Sequence, residues 1–287
     1  MTVAIFGLGL IGGSIGRNLV KKSGYKVIGY DIDNATLLKA QAMEAIHEEI
    51  SEDNIKTADM VILAVTPNAA ITIMGEICPK LKSNCVVADC CGNKRAIVKE
   101  MNRLKKLYDI EFVGMHPMAG REFSGLSHST LSLFENAYFI LVPVHNSIEG
   151  LLKIKEMISY LGDIKVVIST AEKHDKIISY TSQLAHIVSS AYIKNPLSQK
   201  HVGFSAGSFK DMTRVAKLNP QMWGELFFEN KDNLIEQIDF FQNTMSEYRQ
   251  ALENGDGEKL ERLLKEGADM KEAAENARKT GVIDDKN

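Results

Sequence analysis

Through the first 169 residues, short apolar runs alternate with amphipathic stretches. Residues 3–6, 26–30, 60–65, 85–89, 111–114, 136–142 and 165–168 read as strands, several of them continuously apolar as when both sheet faces are covered. Between them, residues 13–19, 34–43, 67–79, 95–107 and 147–161 read as helices, with Asn34 and Ser147 placed to cap two of them. Residues 44–58 are polar and poorly periodic, and residues 124–134, rich in Ser, Gly and His, predict a flexible flap or turn. The alternation of strand and helix predicts a parallel, doubly wound sheet. From Thr170 onward no strand pattern remains. Residues 171–194 predict one helix, ended by Asn195-Pro196, and residues 209–216 a short one. Asn219 and Pro220 open a helix that runs to Asn254, about 50 Å at ~1.5 Å per residue. Its stripe of Leu226, Phe227, Leu234, Ile238, Phe241, Met245 and Tyr248 needs cover, most economically from a symmetry mate. A charged helix over 257–279 follows, and the tail after Gly281 is expected to be disordered.

The turn after the first strand is Gly7-Leu8-Gly9-Leu10-Ile11-Gly12, a G-x-G-x-x-G between a buried strand and a helix. In that context the motif predicts dinucleotide binding. Gly7 permits the tight turn, Gly9 lets a pyrophosphate approach the backbone, and Gly12 lets helix and strand pack closely. The second strand ends in Asp31, nineteen residues past Gly12. A carboxylate there accepts from both ribose hydroxyls and repels a 2′-phosphate, which predicts NAD rather than NADP. The expected architecture is therefore α/β: a Rossmann-type, doubly wound, mostly parallel sheet over residues 1–169, followed by an all-α dimerisation domain over 170–287. In such a sheet the loops after Phe6, Val65, Ala88 and Gly114 share one crevice. Val65, Thr66 and Pro67 join Gly7, Leu8, Gly9, Leu10, Ile11, Gly12 and Asp31 as candidate cofactor contacts.

The bulk properties narrow the partners. A net charge of −3 without a Lys/Arg cluster argues against nucleic acid. No apolar run approaches the ~20 residues of a membrane span. The amino terminus enters a strand directly, so no signal peptide is expected. Cys78, Cys85, Cys90 and Cys91 match no zinc or redox spacing and predict reduced thiols in a cytoplasmic protein. No metal ligands stand at suitable spacing.

Two stretches carry candidate chemistry. Met115-His116-Pro117-Met118-Ala119-Gly120-Arg121-Glu122 follows the strand end where a nicotinamide arrives, placing His116 in a loop beside it. In the helical half, Ser182, His186, Ser189 and Ser190 recur on one helix face, which suits either a pocket wall or a core helix. Lys210 and Arg214 share a face with Asp211 between them. Arg214 can fork onto a carboxylate or pair internally with Asp211.

Over nearly its full length the chain resembles the prephenate/arogenate dehydrogenase family. The resemblance rests on Gly7-Leu8-Gly9-Leu10-Ile11-Gly12-Gly13-Ser14, Gly114-Met115-His116-Pro117-Met118-Ala119-Gly120, Ser182-Gln183-Leu184-Ala185-His186, residues 209–216 (FKDMTRVA) and Asn219-Pro220-Gln221-Met222-Trp223. It implies a nucleotide domain followed by a helical domain through which a homodimer forms. It implies that His116 is the catalytic histidine, accepting a hydrogen bond from the substrate's C4 hydroxyl, and that His186 is a second active-site histidine. It implies further that Arg214 holds a carboxylate of prephenate, that Lys210 and Asp211 flank it, that Ser182 lines the substrate pocket, and that Glu122 is linked to gating. Many relatives carry a serine where Gly92 stands, so that hydroxyl contact is absent or replaced. The implied activity is NAD-dependent oxidative decarboxylation of prephenate to 4-hydroxyphenylpyruvate in tyrosine biosynthesis. Its alternatives are arogenate as substrate, reduction of another small acid, or a non-catalytic NAD(H)-sensing dimer.

Overall fold

The structure, a computed structural model, describes residues 1–120, 123–145 and 147–280. Strands β1 (Thr2–Phe6), β2 (Lys26–Tyr30), β3 (Glu48–Glu49), β4 (Met60–Leu63), β5 (Cys85–Asp89), β6 (Ile110–Pro117), β7 (Tyr138–Pro143) and β8 (Lys165–Ile168) form one sheet. Their order is β3-β2-β1-β4-β5-β6-β7-β8. Helices α1 (Leu10–Lys22), α2 (Asn34–Ala42), α3 (Pro67–Ile77), α4 (Arg95–Lys105) and α5 (Ile148–Ser159) connect the strands. Apolar side chains fill both faces: Val3, Ile5, Ile62 and Phe139 belong to one cluster, Ala4, Val61, Val87 and Phe112 to the other. Each Val, Ile or Phe among them removed from water contributes roughly 1.5–3 kcal/mol, so burial on two faces explains why β1, β4 and β5 lack alternation.

The sheet is not wholly parallel. β7 runs antiparallel to β6, with His116 opposite Ile140 and Pro117 opposite Phe139. This pairing extends β6 to Pro117, so His116 lies in a strand rather than in the loop its sequence suggested. Residues 44–58, patternless in sequence, hold the edge strand β3 and a 3-10 turn at Ile55–Thr57. α2 is capped by Asp33, whose carboxylate accepts from Ala35 N and Thr36 N, not by Asn34. Ser147 does precede α5, but its hydroxyl donates to the Glu111 carboxylate instead of capping. The segment 124–134 is no free flap. Leu126 and Phe134 are buried, Arg17 Nη1 and Asn18 Nδ2 donate to the carbonyls of Ser129 and Leu131, and Thr130 N donates to Ser14 Oγ.

Beyond the sheet come α6 (Ala171–Ile178), a π-helical segment at Ser179–Leu184, α7 (Ala185–Ile193), α8 (Gly207–Thr213) and α9 (Pro220–Glu229). α10 (Lys231–Glu253) and α11 (Gly257–Thr280) follow. The predicted helix over 171–194 is thus interrupted by a π segment. The predicted long helix is two, broken at Asn230. Asn230 is fully buried, donating to Asp175 O at 2.8 Å and Gln183 Oε1 at 2.9 Å. Its side-chain Oδ1 accepts from Arg95 Nη2 at 2.9 Å. Those tertiary bonds replace helical continuity. The chain divides into two compact units, Met1–Leu234 and from Ile235 onward. In the second, α10 turns at Gly255 (φ 63°) into α11, and Tyr248 Oη donates to Leu263 O.

Candidate active site

The order of strands reverses between β1 and β4, and the first part of the site lies at that switch point. Gly7 has φ +85°, and a Cβ there would overlap the Ala64 carbonyl and Val65. A Cβ on Gly12 would overlap the Gly7 carbonyl oxygen. At Gly9 it would meet nothing within 4 Å, so the turn is open where a ligand would approach. Gly9 caps α1 without a side chain, and the first turn holds no acidic residue. Free N–H groups and the positive end of the helix dipole are left for an anion. The Asp31 carboxylate accepts from Leu8 N at 2.8 Å and from Asp33 N at 3.0 Å. It stands between the glycine turn and the β2–α2 corner, where a ribose of a bound dinucleotide would lie. Val65 packs beside Gly7, while Thr66 and Pro67 open α3. These residues fit a dinucleotide.

The second part lies at the carboxyl ends of β5 and β6. Asp89 and Lys94 are both fully enclosed and form an ion pair. Asp89 also accepts from Cys91 N at 2.8 Å and Met115 N at 3.2 Å, which ties it to β6 one residue before His116. Lys94 Nζ donates to Cys91 O at 2.8 Å, and its stem lies against Gly114. From α6, His174 Nε2 lies 2.9 Å from His116 Nδ1, and His174 Nδ1 lies 2.7 Å from Asp175 Oδ1. Asp175 also accepts from Lys94 N at 2.7 Å and Arg95 N at 2.9 Å, the start of α4. His116 is closely surrounded by protein yet keeps part of its surface open. Burial holds its imidazole well below the usual value, and the nearby Lys94 cation pushes the same way. Burial lowers His174 as well, against the bond to Asp175. The Asp175 carboxyl stays below its ordinary value because hydrogen bonds from His174, Arg95 and Lys94 outweigh its desolvation.

The third part is helical. His186 Nδ1 donates to Val215 O at 3.0 Å, and its ring packs on Trp223 with centroids 3.9 Å apart. Burial, more than the Arg214 charge, lowers its pKa. Arg214 and Lys210 are exposed and form no ion pair with Asp211 or any other described residue. Ser182 is half-buried within the π segment. Glu122 lies outside the described residues. A polar bridge joins this part to the second: Asn93 Nδ2 donates to Leu226 O at 2.7 Å, and Gln183 Nε2 donates to Asn93 Oδ1 at 2.9 Å. Gln183 is one turn before His186, and Leu226 one turn after Trp223. Beside this bridge, a Cβ on Gly92 would come within 3.3 Å of Leu226 Cδ2.

The structure therefore brings His116 into a buried polar cluster and sets His186 beside Arg214. Sequence reasoning missed His174, Asp175, Asp89 and Lys94 as members of that cluster. Faint signals existed. Asp89 ends an apolar strand five residues before a lysine, and a His-Asp pair opens the helix after the last strand. Among the described residues, no group of three or more His, Cys, Asp or Glu could hold a metal. No helix among them is long and apolar enough to cross a membrane.

The family described as "Prephenate dehydrogenase, nucleotide-binding domain" matches residues 15–170, and "Prephenate dehydrogenase, dimerization domain" matches residues 170–266. A prephenate dehydrogenase of Lactococcus lactis subsp. cremoris is 30% identical over 95% of this chain and 77% of its own length. A cyclohexadienyl dehydrogenase of Zymomonas mobilis is 29% identical over 92% of both chains. A crystal structure of prephenate dehydrogenase from A. aeolicus, in complex with hydroxyphenyl propionate and NAD+, superimposes with TM-score 0.82 at 28% identity. That likeness covers 96% of this chain and 98% of the other.

Proposed function

Because the chain belongs to the prephenate dehydrogenase family, we propose that it oxidatively decarboxylates prephenate to 4-hydroxyphenylpyruvate with NAD. The observation that carries this reading is the placement of His116, an imidazole closely surrounded by protein, at the carboxyl end of β6 in the sheet whose switch point fits a dinucleotide. Gly7, Gly9, Gly12 and the start of α1 would hold the pyrophosphate, Asp31 the ribose, and Val65, Thr66 and Pro67 the wall beyond. Bound there, NAD supplies the two-electron acceptor that the oxidation requires.

The residues of the chain do the rest. His116, kept uncharged near neutral pH by its burial, accepts the proton of the C4 hydroxyl. The ring carboxylate then leaves as CO2, the electrons of its bond aromatise the ring to a phenolate, and the phenolate takes a proton back from His116, so aromatisation drives the step. Arg214, exposed and unpaired among the described residues, is free to fork onto a substrate carboxylate. Lys210 adds charge beside it. His186 and Ser182 offer hydrogen bonds to the substrate body, and Glu122 is assigned to gating on the resemblance alone. We also propose a homodimer in the cytoplasm. The match to the dimerization domain supports it, as do the exposed apolar chains of Phe228, Phe240 and Met245.

The Zymomonas relative favours a second reading, in which arogenate is accepted as well. Full-length protein mixed with NAD and either prephenate or arogenate, followed by NADH absorbance, tests both. Turnover of prephenate supports the main reading, and a higher kcat/KM with arogenate transfers the assignment to the second. Silence with both at micromolar enzyme leaves a binding protein.

A further inference from the structure

We infer that His174 and Asp175 are positioning residues of this site, forming a relay that fixes His116 in the tautomer protonated at Nδ1. The inference rests on the reading of His116 as the base, and it follows from counting protons along two short contacts.

Asp175 is the fixed end. Its oxygens accept from Lys94 N and Arg95 N, and the Arg95 guanidinium lies 3.4 Å away as an ion pair. Ionised, it can only accept, so at 2.7 Å His174 Nδ1 must be the donor. His174 is buried beside the Lys94 ammonium, and both circumstances disfavour a second proton on it. Neutral and protonated at Nδ1, its Nε2 is a bare lone pair. The 2.9 Å contact to His116 Nδ1 needs one proton, and only His116 can supply it. A neutral His116 that donates from Nδ1 has its lone pair on Nε2. That nitrogen is the acceptor a substrate hydroxyl requires. The opposite tautomer would present N–H to the hydroxyl and could not take its proton.

The same chain serves the imidazolium that proton transfer creates. Its Nδ1–H bond to His174 becomes charge-assisted, and the Asp175 carboxylate bonded to the other nitrogen of His174 favours the positive charge through that acceptor. No proton has to leave His116 for this to act, as in the buried aspartate of serine-protease triads. Lys94 works against the new charge, so the relay and the cation pull in opposite directions on how readily His116 is protonated.

The test uses full-length protein labelled with 15N-histidine. Two-bond proton–nitrogen correlation spectra at pH 8 report each tautomer, and the His116 signal is identified by its loss in His116→Asn. His116 is expected to be protonated at Nδ1 in the wild type and to become mixed or Nε2-protonated in His174→Phe. In turnover, His174→Phe should lower kcat by about 10²–10³ with the KM for NAD within about threefold. His174→Gln offers an amide oxygen to His116 Nδ1–H and should recover at least a tenth of the wild-type kcat. A wild-type His116 protonated at Nε2 overturns the relay, as does His174→Phe turnover within about threefold of wild type. If the Phe variant does not fold, the wild-type tautomer and the Gln variant decide. The tautomer is read without substrate, so a wild type that ignores prephenate removes the proposed reaction and leaves the relay to be judged by its spectrum.

Discussion

Lys94 offers the sharpest test of how the site is held. It is the largest fully enclosed side chain among the described residues. Its ammonium has three acceptors: the Asp89 carboxylate, Cys91 O at 2.8 Å and Asn93 O at 3.3 Å. Lys94→Met keeps the length of the stem against Gly114 and deletes the charge. Asp89 would retain donors from Cys91 N and Met115 N, but would be a buried anion without a cation. Removing one partner of a buried pair costs about 3–5 kcal/mol, against a total stability of ~5–15 kcal/mol. Adding Asp89→Asn removes the stranded charge while leaving an oxygen for one of the two backbone donors. The double variant should therefore regain at least ~1.5 kcal/mol of the loss. Urea unfolding followed by fluorescence reads this directly, since Trp223 is the one tryptophan of the chain. A second readout is kinetic. With the cation gone, the His116 pKa should rise towards its ordinary value, moving the acid limb of kcat/KM to higher pH. A loss below ~1 kcal/mol, or an acid limb that moves down, refutes the account of this pair.

Other outcomes follow from the same geometry. His116→Asn should lower kcat by ~10²–10⁴ while leaving the NAD dissociation constant within about threefold; unimpaired turnover would shift the base to His186. Arg214→Gln should raise the prephenate KM at least ~10-fold with a smaller effect on kcat, as steady-state kinetics will show, because it removes an anchor rather than the base. Asp31→Ser should narrow the preference for NAD over NADP, measured as the ratio of kcat/KM values. Stability should fall with acid. His116, His174 and His186 all have folded pKa values below the ordinary one. Between those values and the unfolded ~6.5 the unfolded chain binds more protons, so stability rises with pH through that window and is lost as pH drops below ~6.5. A melting temperature that stays flat from pH 7.5 to pH 5.5 would contradict this.

How far the sequence could be read depended on how local each feature is. The glycine turn was legible because turn, strand and helix are contiguous: Gly7, Gly12 and Asp31 stand where their spacing put them. His116 was recognisable but misplaced, since the pairing with β7 that makes it a strand residue involves Ile140, twenty-four positions away. Asn230 hid a helix break inside a good helical pattern. Only its contacts with Asp175, Gln183 and Arg95 explain the interruption, and those partners come from three other elements. His174 and Asp175 were unreadable as site residues for the same reason. Nothing in T-A-E-K-H-D reveals that His116 waits fifty-eight positions earlier. The spacing of Lys210 and Arg214 puts them on one helix face and allows Arg214 either a carboxylate ligand or an ion pair with Asp211; the structure leaves both cations unpaired among the described residues.

Asp175 has a consequence for modularity. The helix that begins at Arg95 has no cap of its own, and both of its leading amides are served by a carboxylate eighty residues downstream. A scission after residue 169, where the two matched domains meet, would therefore strip the nucleotide half of a keystone that its own chain does not encode. Chimaeras assembled from two relatives would inherit the same debt. They should succeed only where the incoming helix brings an aspartate to that spot.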